Sequence, residues 1–475
     1  MGSADRLTRP KGALPGIGIV HLGLGAFFRA HGAIYIQEAM AASGGDWGIC
    51  GVSLQSATTR DALTPQGGCY VALQLGSGAK TARRVASVQQ VLVAPENPGA
   101  VLARMADPAT RIVSLTVTEK GYCHDPATGR LNLSHPDIRH DLSTKLPRSA
   151  PGYLVRALQM RRAAGLSPFT VLTCDNLPHN GHLLRRLVLQ LAQAMDPGLA
   201  DWIAGEARFP STMVDRIVPA TTPDDIAAVT ALTGWHDAAP VVHEPFRQWV
   251  IEDDFVGGLR PDLAACGVQM VADIAPYELM KLRMLNGTHS ALAYLGYLAG
   301  HPTIADCMAD PMFGAFVRKL WQREIIPALT PPPGDDLAVY AAALADRYAN
   351  PGIRHRTWQI AMDGSQKLPQ RILGTLADNL AAGRDSPGLC LALAAWMHYV
   401  AGSDEAGQPI DVRDPLAVRL RAICDAHPGD GRVPAMLAVR EVFPPDLAAQ
   451  IEPAVQAAHG RLMALGARAA ISALG

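Results

Sequence analysis

The segment Ile17-Gly18-Ile19-Val20-His21-Leu22, followed at once by Gly23-Leu24-Gly25, constrains the fold more than any other part of the chain. An apolar run without polar alternation describes a strand buried on both faces, the kind found in parallel sheets. The glycine turn then feeds a helical stretch, Phe28–Met40. Parallel strands must be joined by crossovers, so a strand, turn and helix at the front predict a doubly wound α/β domain. Trp47–Leu54, Arg111–Thr118 and Phe169–Cys174 continue the pattern as β-rich segments. Helical stretches such as Pro98–Met105 and Tyr153–Ala164 lie between them.

With 475 residues the chain exceeds one ordinary core, and two domains are expected. After about Asp273 the texture changes to Ala-, Leu- and Arg-rich helical segments: Pro276–Leu298, Leu337–Ala349, Gly388–Val400 and Leu437–Leu465. Breaks at Pro331-Pro332-Pro333-Gly334 and Pro351-Gly352 separate helices. The reading is a parallel-sheet domain over 1–274 and a mostly α-helical domain over 275–475.

A formal net charge of -1 removes the electrostatic case for nucleic acid or an anionic membrane surface. No apolar run is long enough to span a bilayer. The start Met1-Gly2-Ser3-Ala4-Asp5-Arg6 carries neither a secretory signal nor, with Arg6 at position six, a myristoylation pattern. Eight cysteines stand singly, without zinc or redox spacing, as buried thiols of a reducing compartment do. A cytoplasmic protein, monomeric or weakly homo-oligomeric, is expected.

Between its strand and helix, Gly23-Leu24-Gly25-Ala26-Phe27-Phe28 has the context of a dinucleotide loop. Glycines let the backbone approach a pyrophosphate, and a helix N-terminus offers free N–H groups. Phe28 replaces the third glycine of the usual fingerprint, and any tight strand-to-helix turn uses two glycines. The acid expected after the second strand is missing, with Gln55-Ser56-Ala57-Thr58-Thr59-Arg60 in its place. Arg60 would suit a 2′-phosphate or simply an exposed loop, so these residues leave NAD against NADP open.

The segment Tyr277-Glu278-Leu279-Met280-Lys281-Leu282-Arg283-Met284-Leu285-Asn286-Gly287-Thr288-His289-Ser290 carries most of the chemistry. On an α-helix, with Lys281 at zero, Glu278 falls at about 60°, His289 at about 80° and Asn286 at about 140°. Met280 and Met284 fall on the far side, while Leu282 and Leu285 share the polar arc. Oxidising an alcohol needs a proton acceptor and donors for the alkoxide. A desolvated Lys281 can be the base, Asn286 can donate to the oxyanion, His289 can orient the oxygen and Glu278 can relay the proton. The plainer alternative is a partly solvated helix face. Gly287 weakens it, because glycine in mid-helix costs about 1 kcal/mol relative to alanine and suggests close approach by something. A second polar cluster, Cys174-Asp175-Asn176-Leu177-Pro178-His179-Asn180-Gly181, follows an apolar strand. It reads either as ligand-binding residues at the carboxyl end of the sheet or as a turn.

In this frame Lys281, Asn286 and His289 resemble the polyol-specific long-chain (mannitol) dehydrogenase family. The resemblance runs from His21-Leu22-Gly23-Leu24-Gly25 through Val117-Thr118-Glu119-Lys120-Gly121-Tyr122 and Thr173-Cys174-Asp175-Asn176 to that helix. Further segments are most similar to the fructuronate reductase (D-mannonate oxidoreductase) branch. They are Ser211–Pro219, Glu244–Trp249 and Arg354-His355-Arg356-Thr357-Trp358-Gln359-Ile360-Ala361-Met362-Asp363-Gly364-Ser365-Gln366-Lys367. The resemblance implies a Rossmann-type N-terminal domain, a helical C-terminal domain, and metal-free, NAD-dependent reduction of D-fructuronate to D-mannonate. It implies Lys281 as general base, Asn176 with Asn286 as oxyanion hole, His289 as orienting residue and Glu278 as proton relay. Asp215, Lys367 and Arg356 would contact the substrate. Gly23, Gly25, Ala26, Phe27, Phe28, Thr118 and Lys120 would contact the cofactor. Arg354, Arg356, Lys367 and Arg216 are candidate partners for a substrate carboxylate, each with a surface role as its alternative. A mannitol- or arabinitol-type polyol dehydrogenase is the alternative within this chemistry, and a non-catalytic dinucleotide-binding sensor the alternative of another class.

Overall fold

Apolar side chains on both faces of Ile17–Leu22 (β1) place that strand at the centre of a five-stranded sheet. Gly48–Ser53 (β2), Val88–Val93 (β3), Ile112–Leu115 (β4) and Thr170–Thr173 (β5) complete it. The spatial order is β3-β2-β1-β4-β5, and every pairing is parallel. That order is the mononucleotide-binding arrangement of a Rossmann fold, with the crevice where chain direction reverses beside β1. This computed structural model describes residues 4–76, 78, 80–125 and 128–474. Met1–Ser3, part of the reading of the chain start, lie outside the described residues.

The chain divides into two compact units, Met1–Ala275 and Pro276–Gly475. In the first, Ala26–Ala30 (α1) and Gly32–Ser43 (α2) cross from β1 to β2, and Pro98–Ala106 (α3) crosses from β3 to β4. Ala150–Ala163 (α4) precedes β5, and Asn180–Met195 (α5) follows it. A second sheet pairs Thr212–Asp215 (β6) antiparallel with Gln248–Glu252 (β7), which runs parallel to Gln269–Val271 (β8). A third joins Tyr70–Gln74 to Thr81–Val85 and Val241–His243. The single helix expected over Phe28–Met40 is broken at His31, whose φ of -130° is not helical. His31 Nε2 bonds the Gln248 carbonyl at 2.9 Å, which ties the break to β7.

The second unit is helical. Ala275–Met280 (α6), a π-helical segment Lys281–Gly287 and Thr288–Leu298 (α7) form one continuous run. Pro387–Tyr399 (α8), almost wholly buried, packs with α7 and with Pro445–Ser472 (α9) around a core that includes Trp321, Trp396 and Phe443. The helix expected over Leu437–Leu465 is displaced. Arg432–Leu437 ends there, and α9 begins only after Pro444, with Pro445 in its first turn. Proline lacks the N–H that a helix interior needs, and suits the first turn, where no partner is required. No helix among the described residues is long and apolar enough to cross a membrane.

Candidate active site

The loop after β1 is fixed from beneath by a buried histidine. His21 Nδ1 lies 2.8 Å from Ser114 Oγ, and its Nε2 lies 2.9 Å from Thr116 Oγ1 and 3.3 Å from the Gly23 carbonyl. Burial lowers its pKa to about 3, so it stays neutral. Gly23 has φ +90°, and a side chain there would collide with the Thr116 carbonyl, so only glycine serves. Phe28 is 1% exposed and stacks on the His21 ring at 3.3 Å between centroids. A Cβ on Gly32 would come within 2.6 Å of that ring. The close helix–strand packing that a third glycine normally permits is therefore achieved by stacking Phe28 on His21, with Gly32 leaving room for it. Gly25 is exposed, Ala26 and Phe27 are half-buried, and no side chain caps the N-terminus of α1. Free first-turn N–H groups beside an open glycine turn fit a pyrophosphate.

Arg60 is engaged by carboxylates. Its guanidinium bonds Asp61 at 2.8 Å and Glu96 in two-pronged fashion. A 2′-phosphate would have to displace both.

The turn after β4 is strained. Thr118, exposed, has φ +64° and ψ 166°, a region nearly reserved for glycine. Buried Asp175 holds it there, accepting from Val117 N at 3.1 Å, Thr118 N at 2.9 Å and Tyr122 Oη at 2.9 Å. Burial pushes the Asp175 carboxyl up. Lys120 is exposed in the short 3-10 turn that follows. Asn176 is exposed one residue beyond Asp175, at the carboxyl end of β5. Asn180 ties the cluster down, donating to the carbonyls of Asp175 (2.8 Å) and Thr212 (2.9 Å). The cluster is thus a built turn that presents Asn176.

At the end of β6, Asp215 is 3% exposed. Arg216 beside it is held against the backbone, donating to the carbonyls of Ala30 (2.6 Å), Glu244 (3.2 Å) and Pro245 (3.5 Å) through all three of its nitrogens.

In the second unit Lys281, Asn286 and His289 are 8%, 9% and 5% exposed, which rules out the solvated-face alternative. Glu278 is half-buried, and Met280, Met284 and Leu285 belong to the core. The backbone departs from the assumed α-helix, since Lys281–Gly287 is π-helical. Its i→i+5 bonding widens the turn and shifts every angle assigned above. The Met284 carbonyl accepts from Trp321 Nε1 at 3.0 Å, and the Leu285 carbonyl from Tyr348 Oη at 2.7 Å. Thr288 Oγ1 donates to both carbonyls. The close approach at Gly287 is by the chain itself: a Cβ there would stand 2.8 Å from the Arg371 carbonyl of a second π-helical turn, Pro369–Leu373.

The His289 ring packs 4.4 Å from Tyr348 and 5.1 Å from His355 between centroids, and its Nε2 is buried without a partner. Burial, then His355, Arg347 and Arg371, lower its pKa far below the usual value. A neutral imidazole with an unsatisfied nitrogen is equipped to meet a substrate oxygen. Lys367 Nζ donates to the Met362 carbonyl at 2.6 Å, and burial with Arg371 lowers its pKa to about 8. Arg354 and Arg356 are exposed. Arg371 and His355, whose charges bear on His289, were not singled out in the sequence, although His355 stands between Arg354 and Arg356.

All eight cysteines are free. Among the described residues Cys123, His135 and Asp137 could bring three metal-ligating atoms within 4.8 Å of one another. His135 Nδ1 is already accepting from Asp137 N at 3.2 Å, as a helix cap.

Comparison with known proteins follows this division. The Mannitol dehydrogenase Rossmann domain matches residues 17–264, and the Mannitol dehydrogenase C-terminal domain matches 273–462. The chain is 48% identical over 464 residues to D-mannonate oxidoreductase of Escherichia coli (strain K12), covering 96% of this chain and 95% of that protein. It is 42% identical to a mannitol 2-dehydrogenase of Aspergillus fumigatus, covering 90% and 87%. Among solved structures, Pseudomonas fluorescens mannitol 2-dehydrogenase in ternary complex with NAD and D-mannitol superposes with a TM-score of 0.86 at 37% identity, covering 100% and 97%. By these matches to both halves, the chain belongs to the mannitol dehydrogenase family and is a secondary-alcohol dehydrogenase.

Proposed function

We propose that this enzyme reduces the ketone of D-fructuronate to D-mannonate, reversibly, with NAD as coenzyme and Lys281 as the acid/base. The observation that carries the reading is the buried set Lys281 and Asn286 on the π-helical segment and His289 in the first turn of α7, with His289 Nε2 unsatisfied. Identity at 48% of 464 aligned positions with a D-mannonate oxidoreductase favours the sugar acid.

Gly23, Gly25, Ala26 and Phe27 would hold the coenzyme pyrophosphate, with Phe28 fixing the loop from the core side and Thr118 and Lys120 lining the next turn. NAD, when bound, supplies the hydride exchange. Pairing of Arg60 with Glu96 and Asp61 supports NAD over NADP. In the reductive direction Lys281 gives its ammonium proton to the carbonyl oxygen as that oxygen gains charge. Asn286 and Asn176 donate to the same oxygen, and neutral His289 orients it. Glu278 returns a proton to Lys281 from solvent. Asp215, Lys367 and Arg356 are the proposed substrate contacts. The chemistry assigned to Lys281 calls on no metal ion.

Oxidation of NADH with D-fructuronate beside D-fructose tests the substrate assignment. Efficient turnover of the acid is expected, and turnover of fructose alone would favour a mannitol 2-dehydrogenase. In the same assay Lys281→Ala should lose at least about 10²-fold in kcat while NADH binding persists. Undiminished turnover would remove the lysine from the mechanism.

A further inference from the structure

Of the four cations weighed for a substrate carboxylate, Arg216 is held by backbone carbonyls and Arg354 and Arg356 are exposed. The remaining cation, Lys367, already donates to the carbonyls of Met362 (2.6 Å) and Ile360 (3.4 Å). A fifth cation, Arg371, lies one helical turn beyond Lys367. We propose that Arg371 receives the carboxylate of an open-chain sugar acid, with Lys367 beside it, and is the residue that selects acids over neutral polyols. The inference rests on the dehydrogenase reading above and names the source of its substrate choice.

Three observations place Arg371 at the reacting groups. Its Nη1 donates to Ser290 Oγ at 3.2 Å, and Ser290 directly follows His289. Its carbonyl oxygen is the atom against which Gly287 is kept bare, next to Asn286. It lies four residues after Lys367 in one helical run, so the two side chains share a face.

Its bonding is sparser than that of Arg161 and Arg216. Arg161 and Arg216 each donate to three backbone carbonyls. Arg371 donates to one neutral hydroxyl, and no carboxylate pairs with it among the described residues. A desolvated guanidinium without a counter-charge is costly unless something supplies one. The surrounding groups are donors or orphaned nitrogens as well. His289 Nε2 and His355 Nδ1 are buried without partners, and Lys367 adds a second positive charge. Burial and mutual repulsion with Arg371 hold His355 at about 4 and Lys367 at about 8, even though Asp363 stands 4.0 Å from the Lys367 ammonium. Arg371, His355 and Lys367 are each only half-buried, so a ligand can reach them. A carboxylate supplies two acceptor oxygens in the geometry of the guanidinium fork, whereas a polyol hydroxyl leaves the charge uncompensated.

The test compares kcat/KM for D-fructuronate and D-fructose, with NADH, in the wild type, Arg371→Gln and Arg371→Lys. The acid-over-neutral ratio is expected to fall about 10²-fold in Arg371→Gln, mainly through KM for the acid. Arg371→Lys should fall between, because it keeps the charge and loses the fork. A proportional loss on both ketones, or no change in the ratio, overturns the proposal. If Arg371→Gln does not fold, the same ratio in Arg371→Lys decides it, and a ratio equal to wild type overturns it. Wild-type turnover of fructose alone would instead overturn the substrate reading, a result visible before any variant is made.

Discussion

Thr118 shows how a single residue stores conformational energy in the turn after β4. A β-branched side chain at φ +64° and ψ 166° costs about 1–3 kcal/mol, and here three hydrogen bonds converging on the Asp175 carboxylate offset it. The backbone of the turn proposed to meet the coenzyme is thereby preset. Thr118→Gly should stabilise the protein by about 1 kcal/mol, once strain relief is set against the extra freedom of glycine when unfolded. It should also weaken NADH binding, since the turn would no longer be held in one conformation. Denaturant unfolding and a fluorescence titration of NADH measure the two effects. A loss of stability would mean that Thr118 is comfortable where it is. The strain was invisible in Val117-Thr118-Glu119, because it comes from a carboxylate some sixty positions away.

At the scale of elements, legibility depended on whether the cause was local. The strand Ile17–Leu22 matched its expected bounds residue for residue because four apolar side chains within six residues, Ile17, Ile19, Val20 and Leu22, determine it. The third-glycine position did not follow its usual rule, since Phe28 needed His21 below it and Gly32 beside it. Lys281, Asn286 and His289 are all buried, which the mixed face allowed, yet their angular spacing was not legible, because a π-helical turn is stabilised from outside its own sequence. Trp321 and Tyr348 supply the donors for the Met284 and Leu285 carbonyls, and no helical periodicity near residue 281 encodes them. Arg371 was missed for the same reason: it reaches Ser290 across 81 positions. The two π-helical turns meet at Gly287, so Gly287→Ala sets a gain in helix propensity against a backbone oxygen 2.8 Å from the new methyl group. The oxygen belongs to main chain and cannot swing aside. We expect a net loss of about 1–3 kcal/mol with a lower kcat, read by thermal unfolding and steady-state turnover. A more stable, fully active variant would show that the second turn yields freely.

Over the whole molecule, the buried imidazoles and one buried carboxyl respond oppositely to pH. Burial lowers His21, His31 and His243 to about 3, and burial with nearby cations lowers His355 and His459 to about 4. Below about 6.5 these groups gain protons in the unfolded chain before the folded one. Each therefore removes about 1.4 kcal/mol of stability per pH unit as the medium is acidified through that window. Glu324 runs the other way. Its carboxyl is 6% exposed, accepts from Gly388 N at 2.8 Å and Leu389 N at 2.9 Å, and is raised by burial to about 7. Between about 4.5 and 7 the unfolded chain loses this proton first, so stability contributed by the neutral acid declines as pH rises. Several imidazoles outweigh one carboxyl, so Tm should climb from pH 4.5 to 6.5. Glu324→Gln isolates the smaller effect, because the amide cannot ionise yet keeps one acceptor for the two N–H groups. At pH 4.5 the variant should be less stable than wild type by about 1 kcal/mol, the value of the lost hydrogen bond. By pH 8 the deficit should vanish or reverse, since the wild type must then hold a charge that burial disfavours. Paired denaturant titrations at the two pH values read the difference directly, and a deficit that stays constant would show that Glu324 is already ionised in the folded protein at pH 4.5.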